Sequence, residues 1–278
     1  SQRHRPLRRH ALRGRRALAA AIFCALPLTL GFLVPATQLG VWALTIGRDT
    51  YDARFLDLVL NSLGLAATTA LLVHHFALLI GYGRRLHPSP TVRASVQIAG
   101  LGYAIPGAVI AIGVIIPLAW IDNSLDAWLR AHFQISTGLL LSGSLTALLF
   151  AYLVRFLAVS LHTVEAGLGR IRPTLDEAAR SLGLTPAQVL WRVHIPLLRG
   201  SLLTALLLVF VDALKELPAT LILRPFNFNT LAVRAFELAS DERLADSAPA
   251  ALAIVLAGLL PVILLSRSIT RSRHVQST

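Results

Sequence analysis

The chain has 278 residues, of which 55% are hydrophobic and only 14% are charged, and its formal net charge is +12. Soluble domains carry about 25% charged residues, so this composition excludes an ordinary soluble domain and is typical of a membrane protein. The mean hydropathy of +0.67 agrees. The single cysteine, Cys24, excludes a disulfide framework or a cysteine metal cluster within one chain, and its apolar surroundings predict a buried side chain.

Six apolar segments approach or exceed the length of about 20 residues that crosses the hydrocarbon core of a bilayer. The first is longer than the ~7–15 residues of a secretory signal's apolar region, so it is interpreted as a span. Internal prolines are compatible with membrane helices, because neighbouring groups satisfy the freed backbone. The predicted fold is an all-α integral membrane protein with six transmembrane helices, at Ala17–Ile46, Leu60–Tyr82, Ser95–Trp120, Thr137–Leu161, Ser201–Leu223 and Ala248–Leu265.

The arginines are distributed unequally between the two sides of these spans. With the N-terminus in the cytoplasm, the inner segments hold nineteen arginines and the outer loops hold six. Positive charge concentrates on the cytoplasmic side of membrane proteins, so this bias predicts cytoplasmic N- and C-termini. Because the charge flanks spans and forms no single patch, it argues against a nucleic-acid partner and is compatible with anionic lipid.

The stretch "PTLDEAARSLGLTPAQVLWRVHIP" is a polar interruption between the fourth and fifth spans. Thr174 followed three positions later by Glu177 predicts a capping box at a helix start, and Gly183 is placed for a left-handed C-terminal cap. Thr185, Pro186 and Gln188 predict the start of a second helix, which Pro196 would end. The sequence therefore predicts a helix–turn–helix.

Three interpretations of this motif compete. A DNA-binding helix–turn–helix needs a compact partner helix and exposed base-reading side chains, which a short unit tied to membrane spans provides poorly. An interfacial amphipathic connector without a partner is the second interpretation. The third is a docking element through which a cytoplasmic protein moves the membrane helices.

The motif resembles the EAA loop of binding-protein-dependent ABC importer permeases. The matching residues are Glu177, Ala178, Ala179, Gly183 and Pro196, with Val193 and Ile195 in place of the family's isoleucine and leucine. The resemblance implies a type I importer permease whose short cytoplasmic helix fits a groove on an ATP-binding subunit. The residues it assigns to ATPase coupling are Thr174, Glu177, Ala178, Ala179, Gly183 and Pro196.

The resemblance also implies partners and a domain organisation. The expected partners are an ABC ATP-binding subunit, a periplasmic substrate-binding protein, a second permease half that is fused or separate, and the lipid of a bacterial inner membrane. The predicted domains are a basic cytoplasmic segment at 1–16, a permease domain at 17–268 with the coupling loop at 165–199 and an outer loop at 224–247, and a cytoplasmic tail at 269–278.

The chain has no catalytic motif of its own. A phosphate-gripping Walker A loop requires a lysine in the pattern GxxxxGK[ST], and the single lysine, Lys215, is followed by glutamate. The permease is therefore predicted to be no enzyme and to bind no cofactor, and ATP is expected to be used by the partner subunit.

The C-terminal third resembles the permeases of ferric-iron importers. The stretches "KELPATLILRPFNFNTLA" and "ELASDERL" carry this resemblance, and "GYAIPGAVIAIG" at 102–113 supports it. It implies ferric iron as the cargo, while permeases for polyamine, thiamine, sulfate and phosphonate share the EAA loop. Many ferric permeases are fused chains of two halves, and a methionine-free chain that opens with a basic linker resembles a C-terminal half. An ATP-independent carrier or a membrane-anchored DNA-binding regulator remain as rival classes.

The fifth span contains three ionisable residues: Asp212, Lys215 and Glu216. Each ion in the middle of a membrane helix costs about 2.5–3.5 kcal/mol or more, so these residues form either a structural pair or a polar pathway. Spacing allows Asp212 and Lys215 to pair, which would leave Glu216 as the better pathway candidate for a hard cation. No metal site is predicted from the histidines.

The outer loop at 224–247 is mixed in charge. Leu231, Ala235 and Leu238 indicate a short helix beside the acids Glu237, Asp241 and Glu242. These acids are either solvated or a docking surface for a substrate-binding protein.

Overall fold

The computed structural model describes residues 12–45 and 53–275, with side chains as far as residue 263 except residue 260. Within these ranges the chain is helical and contains no strand. Six helices are long and apolar enough to span a membrane. The helices are α1 Arg15–Thr45, α2 Ala53–Leu86, α3 Pro90–Ala99, α4 Gly107–Phe133, α5 Leu145–Leu168, α6 Pro173–Ser181, α7 Pro186–Leu214, α8 Pro218–Leu223, α9 Leu231–Ser240 and α10 Leu244–Val275.

The centre of the bundle is formed by α2, α5 and α7, which pack against one another. Their contacts are lined by small residues that let the backbones approach, among them Ala66, Ala147 and Ala205, which are completely buried. At Gly167 a Cβ atom would lie 2.9 Å from Leu198 Cδ2. Glycine is therefore required where α5 and α7 cross. Outside this trio, α4 packs on α5, and α10 packs on α1 and α7.

Two of the spanning helices contain a π-helical turn shortly before a proline. Thr29–Leu33 precedes Pro35 in α1, and Leu190–His194 precedes Pro196 in α7. A wider turn removes the need for the amide that proline lacks, so the helix continues. The prediction that Pro196 ends the second helix of the motif is therefore wrong. That helix is the beginning of the fifth span itself.

The third and fifth spans differ from their predicted limits. The predicted span Ser95–Trp120 is interrupted between Ala99 and Gly107, and the long helix α4 runs on to Phe133. It passes beyond Trp120 because the carboxylate of Asp122, on the same helix, accepts hydrogen bonds from the amides of Leu141 and Ser142 in the next loop. The fifth span ends at Leu214 and not at Leu223.

The remaining spans follow the predicted order with shifted ends. The fourth span begins at Leu145, later than the predicted Thr137, and ends at Leu168. The outer loop contains the expected short helix, α9. Cys24 is exposed on α1, contrary to the expectation of a buried thiol. Residues 1–11 of the basic segment and 276–278 of the tail lie outside the described residues.

Candidate coupling and translocation site

The predicted coupling motif forms a helix, a tight turn and a second helix. α6 begins at Pro173, and Arg172 occupies its N-cap position without a side-chain hydrogen bond. Thr174 is therefore inside the helix, and the predicted Thr174–Glu177 capping box is wrong, because the proline takes the first helical position. The Thr185–Gln188 capping box is confirmed.

The turn between α6 and α7 depends on Gly183. Its φ angle is +83°, in the left-handed region that glycine adopts without strain. The amide of Gly183 donates to the carbonyl of Arg180, and the amide of Leu184 donates to that of Ala179. These two bonds are a Schellman motif, so the prediction of a left-handed cap at Gly183 is confirmed.

The exposed face of α6 is different from the apolar face that periodicity predicted to be buried. Leu175 and Leu182 are exposed, as are Glu177 and Ala178, whereas Asp176 and Ala179 are buried. The motif therefore presents an apolar surface that has no partner among the described residues. Trp191, 67% exposed on the first turns of α7, enlarges it.

Asp176 is held in place by a buried network that we call the clamp, formed by Arg85, Asp176 and His194. Arg85 Nε donates to Asp176 Oδ2 at 2.8 Å, and the same guanidinium donates to the carbonyls of Leu168 and Ile171. His194 is completely buried, and its Nε2 lies 2.8 Å from Asp176 Oδ1, outside hydrogen-bond alignment. The clamp therefore joins α6 to α2 and α7 at once.

Tyr82 supports the clamp from α2. Its hydroxyl donates to the carbonyl of Pro186 at 2.7 Å, and its ring packs against His194 with 5.4 Å between the ring centroids. Sequence reasoning missed these contacts, because Arg85 was counted only as a charge that orients the spans. The signal that could have found them was a histidine within an apolar helix, which requires a polar partner.

The second candidate region lies where α7 stops. Lys215 to Leu217 interrupt the helix before α8 begins at Pro218. Glu216 is buried, and its carboxylate accepts from Arg155 Nε at 3.0 Å and from the amide of Ala219 at 3.3 Å. Arg155 is ten residues from the start of α5 and thirteen from its end, so this pair lies near mid-depth of the bundle.

This geometry corrects the interpretation of Glu216 as the acid left without a partner. Arg155 was predicted to lie in the loop after the fourth span, but it lies inside α5 and pairs with Glu216. Arg155 also donates to the carbonyl of Ile105. A Cβ atom at Gly107 would collide with the Glu216 carboxylate, so the start of α4 is fitted closely to this pair.

Asp212 and Lys215 form a separate and more exposed group with Tyr103, which we call the mid-depth cluster. The predicted Asp212–Lys215 pair is confirmed, with 3.0 Å between Lys215 Nζ and Asp212 Oδ1. The hydroxyl of Tyr103 donates to Asp212 Oδ2 at 3.3 Å. The Lys215 side chain is 62% exposed and that of Asp212 is 18% exposed. The two acids of the fifth span therefore have different surroundings.

The outer loop contains the third group of candidate residues. Glu237 accepts from Arg224 at 2.9 Å, while Asp241 and Glu242 are exposed. Next to them lies a cavity of about 540 Å³, which these three acids do not line. Arg54, Asn61, Arg234 and Arg243 are among its lining residues. Among the described residues, no three histidine, cysteine, aspartate or glutamate side chains are grouped as a metal site.

Residues 76–273 match the family described as binding-protein-dependent transport system inner membrane component. The match covers more than half of the chain and includes the coupling motif, the clamp and the mid-depth cluster. The chain belongs to this family. The resemblance carried by the EAA-type residues is thereby confirmed.

Two curated relatives are transport permeases. Over 258 residues this family member is 26% identical to the Fe(3+)-transport system permease protein FbpB 2 of Haemophilus influenzae, covering 91% of the chain and 47% of that relative. Over 127 residues it is 33% identical to the putative 2-aminoethylphosphonate transport system permease protein PhnV of Salmonella typhimurium, covering 46% of the chain and 48% of that relative. The aligned part spans about half the length of each relative.

Two solved structures have the same fold. A bacterial ABC transporter for import of the acidic polysaccharide alginate matches with a TM-score of 0.70 at 18% identity, over 92% of this chain and 95% of that one. The MetNI methionine ABC transporter matches with a TM-score of 0.54 at 16% identity, over 79% and 98%. The predicted fold class, a type I ABC importer permease, is thus confirmed.

Proposed function

We propose that this chain is the membrane-spanning permease subunit of an ABC importer for ferric iron. A periplasmic substrate-binding protein delivers the cargo, a separate ATP-binding subunit supplies the energy, and a second permease half completes the pathway. Family membership supports the importer, and the FbpB 2 relative supports the cargo. The chain itself hydrolyses no ATP.

The observation that carries the proposal is the continuity of α7. This helix begins in the turn after Gly183 and runs without a break to Leu214, next to the mid-depth cluster. A helix of 29 residues is about 43 Å long, since each residue rises 1.5 Å. Displacement at the coupling motif is therefore transmitted mechanically to the middle of the membrane.

The exposed surface of α6 is the proposed docking site for the ATP-binding subunit. Leu175, Leu182 and Trp191 provide apolar area, and Glu177 adds a charge that the described residues do not neutralise. Burial of such side chains at about 25 cal/mol per Å² would drive association. The clamp would then transmit movement of α6 to both α2 and α7.

The arginine distribution supports the orientation of the proposed importer. The coupling end is rich in arginines, including Arg84, Arg85, Arg170, Arg172 and Arg180, which places it in the cytoplasm by the positive-inside rule. The opposite end, with α9 and the 540 Å³ cavity, would face the substrate-binding protein. Glu237, Asp241 and Glu242 remain the proposed contact residues at that end.

Ferric iron is preferred over phosphonate because of the extent of the two alignments. The iron permease aligns with 91% of the chain, including both ends of the bundle, whereas the phosphonate permease aligns with 46%. A phosphonate importer is the second candidate, because Lys215 offers an exposed cation at mid-depth.

The proposal is tested by reconstituting the complex of this chain with its ATP-binding subunit and second permease half in liposomes. ATP hydrolysis and uptake are measured with binding proteins loaded with ferric iron, 2-aminoethylphosphonate or thiamine. We expect ferric iron alone to stimulate hydrolysis and to accumulate inside with ATP. Uptake that does not depend on ATP would contradict the importer, and uptake of phosphonate alone would contradict the cargo.

A further inference from the structure

The mid-depth cluster is an exposed polar group in the middle of a membrane bundle. Tyr103 is 49% exposed, and the Lys215 side chain is 62% exposed. Asp212 is within a turn of Glu216, whose partner Arg155 is close to the centre of α5. The cluster is therefore at the depth of the hydrocarbon core and opens away from its own bundle.

Such a surface is not compatible with lipid. An ionised aspartate or lysine costs about 2.5–3.5 kcal/mol in the centre of a membrane helix, so these side chains face water or another protein. The broken backbone at Lys215 to Leu217 gives the same indication, because non-helical backbone at this depth occurs only inside protein or along a water-filled cavity. This face of the bundle is therefore the pathway side.

We propose that the phenolic oxygen of Tyr103 and Oδ2 of Asp212 are a two-oxygen transit ligand for ferric iron on its way through the membrane. This inference rests on the proposed function. Oxygen donors suit hard, highly charged cations. An octahedral ion with bonds of about 2.0–2.1 Å has neighbouring ligand oxygens about 2.9 Å apart, and the two oxygens of this pair are separated by 3.3 Å.

Lys215 fixes the carboxylate in the orientation that this pair requires. Its ammonium occupies Oδ1, which leaves Oδ2 directed at Tyr103. On binding, the phenol loses its proton to water, the iron remains Fe(III), and water or the chelator that accompanies the ion fills the other positions. No electron is transferred in this step.

The small number of ligands is appropriate for passage rather than storage. Conduction requires a site that is favourable enough to enter and weak enough to leave. Two protein oxygens beside a lysine charge satisfy this condition, because Lys215 repels the ion that the oxygens attract. The buried Glu216–Arg155 pair, which is internally neutral, stays intact while the ion passes.

The test is a titration of the full chain in lipid nanodiscs with Fe(III) supplied as its nitrilotriacetate complex. Iron bound to a phenolate absorbs visible light, so binding at Tyr103 gives a coloured band. We expect the band in the native chain and its loss in Tyr103→Phe. Tyr82→Phe, which removes a phenol from the opposite side of the molecule, is the matched control and keeps the band.

Two further variants separate a ligand role from a structural role. Asp212→Asn should weaken apparent affinity at least tenfold, and Lys215→Gln should strengthen it, while both keep the native helix content and elution volume. An absent band in the native chain, or an unchanged band in Tyr103→Phe, overturns the proposed ligand pair. Iron uptake by the reconstituted complex is measured separately, so that uptake without the band refutes only the ligands. A band without uptake refutes the proposed cargo.

Discussion

At the scale of single residues, the two buried ion pairs have the strongest consequences. Arg85–Asp176 and Arg155–Glu216 are largely removed from water, with side-chain exposures of 15% and 9% in the first pair and 18% and 7% in the second. Breaking a buried pair costs about 3–5 kcal/mol, because the remaining ion is left uncompensated. Exposed pairs contribute only about 0–1 kcal/mol.

Asp176→Asn should release α6 from the bundle. The change leaves Arg85 buried without its carboxylate, so we expect a loss of stability of about 3–5 kcal/mol and faster proteolysis near residues 173–183. ATP hydrolysis that no longer responds to loaded binding protein is the functional readout. Arg84→Gln is the control, since Arg84 and Glu165 form a more exposed pair and the expected change is small. Normal coupling in Asp176→Asn would refute the role of the clamp.

Glu216→Gln and Asp212→Asn should have opposite effects. Glu216→Gln strands the buried Arg155, so the expected result is poor folding with a lower yield of assembled complex. Asp212→Asn leaves Lys215 in contact with water, so the chain should fold and the uptake rate per complex should change. Yield and uptake are both normalised to assembled complex. A stable Glu216→Gln complex with defective uptake would restore Glu216 as a pathway residue.

This assignment reverses the expectation from spacing alone. The i,i+3 relation of Asp212 and Lys215 was sufficient to predict their pair correctly. It could not identify the partner of Glu216, because Arg155 is sixty-one residues away in sequence. Local spacing predicts contacts within a helix, whereas contacts between helices depend on the crossing of α5 and α7.

At the scale of elements, α7 combines two parts that the sequence appeared to separate. Pro196 indicated a helix end, but the π-helical turn at Leu190–His194 accommodates the proline. Apolar runs and turn residues were sufficient to predict six spans and the position of Gly183. The ends of the spans were harder to predict, because capping carboxylates such as Asp122 extend a helix past its apolar run.

Gly183→Val should disrupt the coupling turn without unfolding the membrane helices. A left-handed backbone costs about 1–2 kcal/mol for a residue with a Cβ, and more for a branched side chain. The expected result is a folded chain that binds the ATP-binding subunit weakly and transports poorly. Gly183→Asn is the matched control, because asparagine adopts this conformation more readily. Wild-type transport in the valine variant would contradict the coupling assignment.

At the scale of the whole molecule, the bundle has a coupling end, a mid-depth polar layer and an outer end. Family membership and fold follow from residues 76–273 and from the likeness to solved importers. The EAA-type spacing was sufficient to predict the family, because it is local in sequence. The clamp was not predictable in the same way, since it joins residues from α2, α6 and α7.

The orientation is testable with single cysteines in a Cys24→Ser background, which removes the exposed native thiol. Cysteines at Ser89 and Ser181 should be protected from a membrane-impermeant thiol reagent applied to intact cells. A cysteine at Asn227, an exposed residue beside the outer cavity, should react. All three should react after the cells are opened. Reaction of Ser181 from outside would require the inverted orientation.

The central claim, that α7 transmits movement from the coupling motif to mid-depth as one rigid helix, is tested most directly by distances between spin labels in the reconstituted complex. One pair of labels joins Ser181 to Leu208, and a second joins Leu208 to Leu125 on α4; both leucines are exposed. On adding a non-hydrolysable ATP analogue, we expect the Ser181–Leu208 distance to remain constant while the Leu208–Leu125 distance changes. A changed Ser181–Leu208 distance with a fixed Leu208–Leu125 distance would contradict the claim, because α7 would then bend at its π-helical turn and the movement would not reach the middle of the membrane.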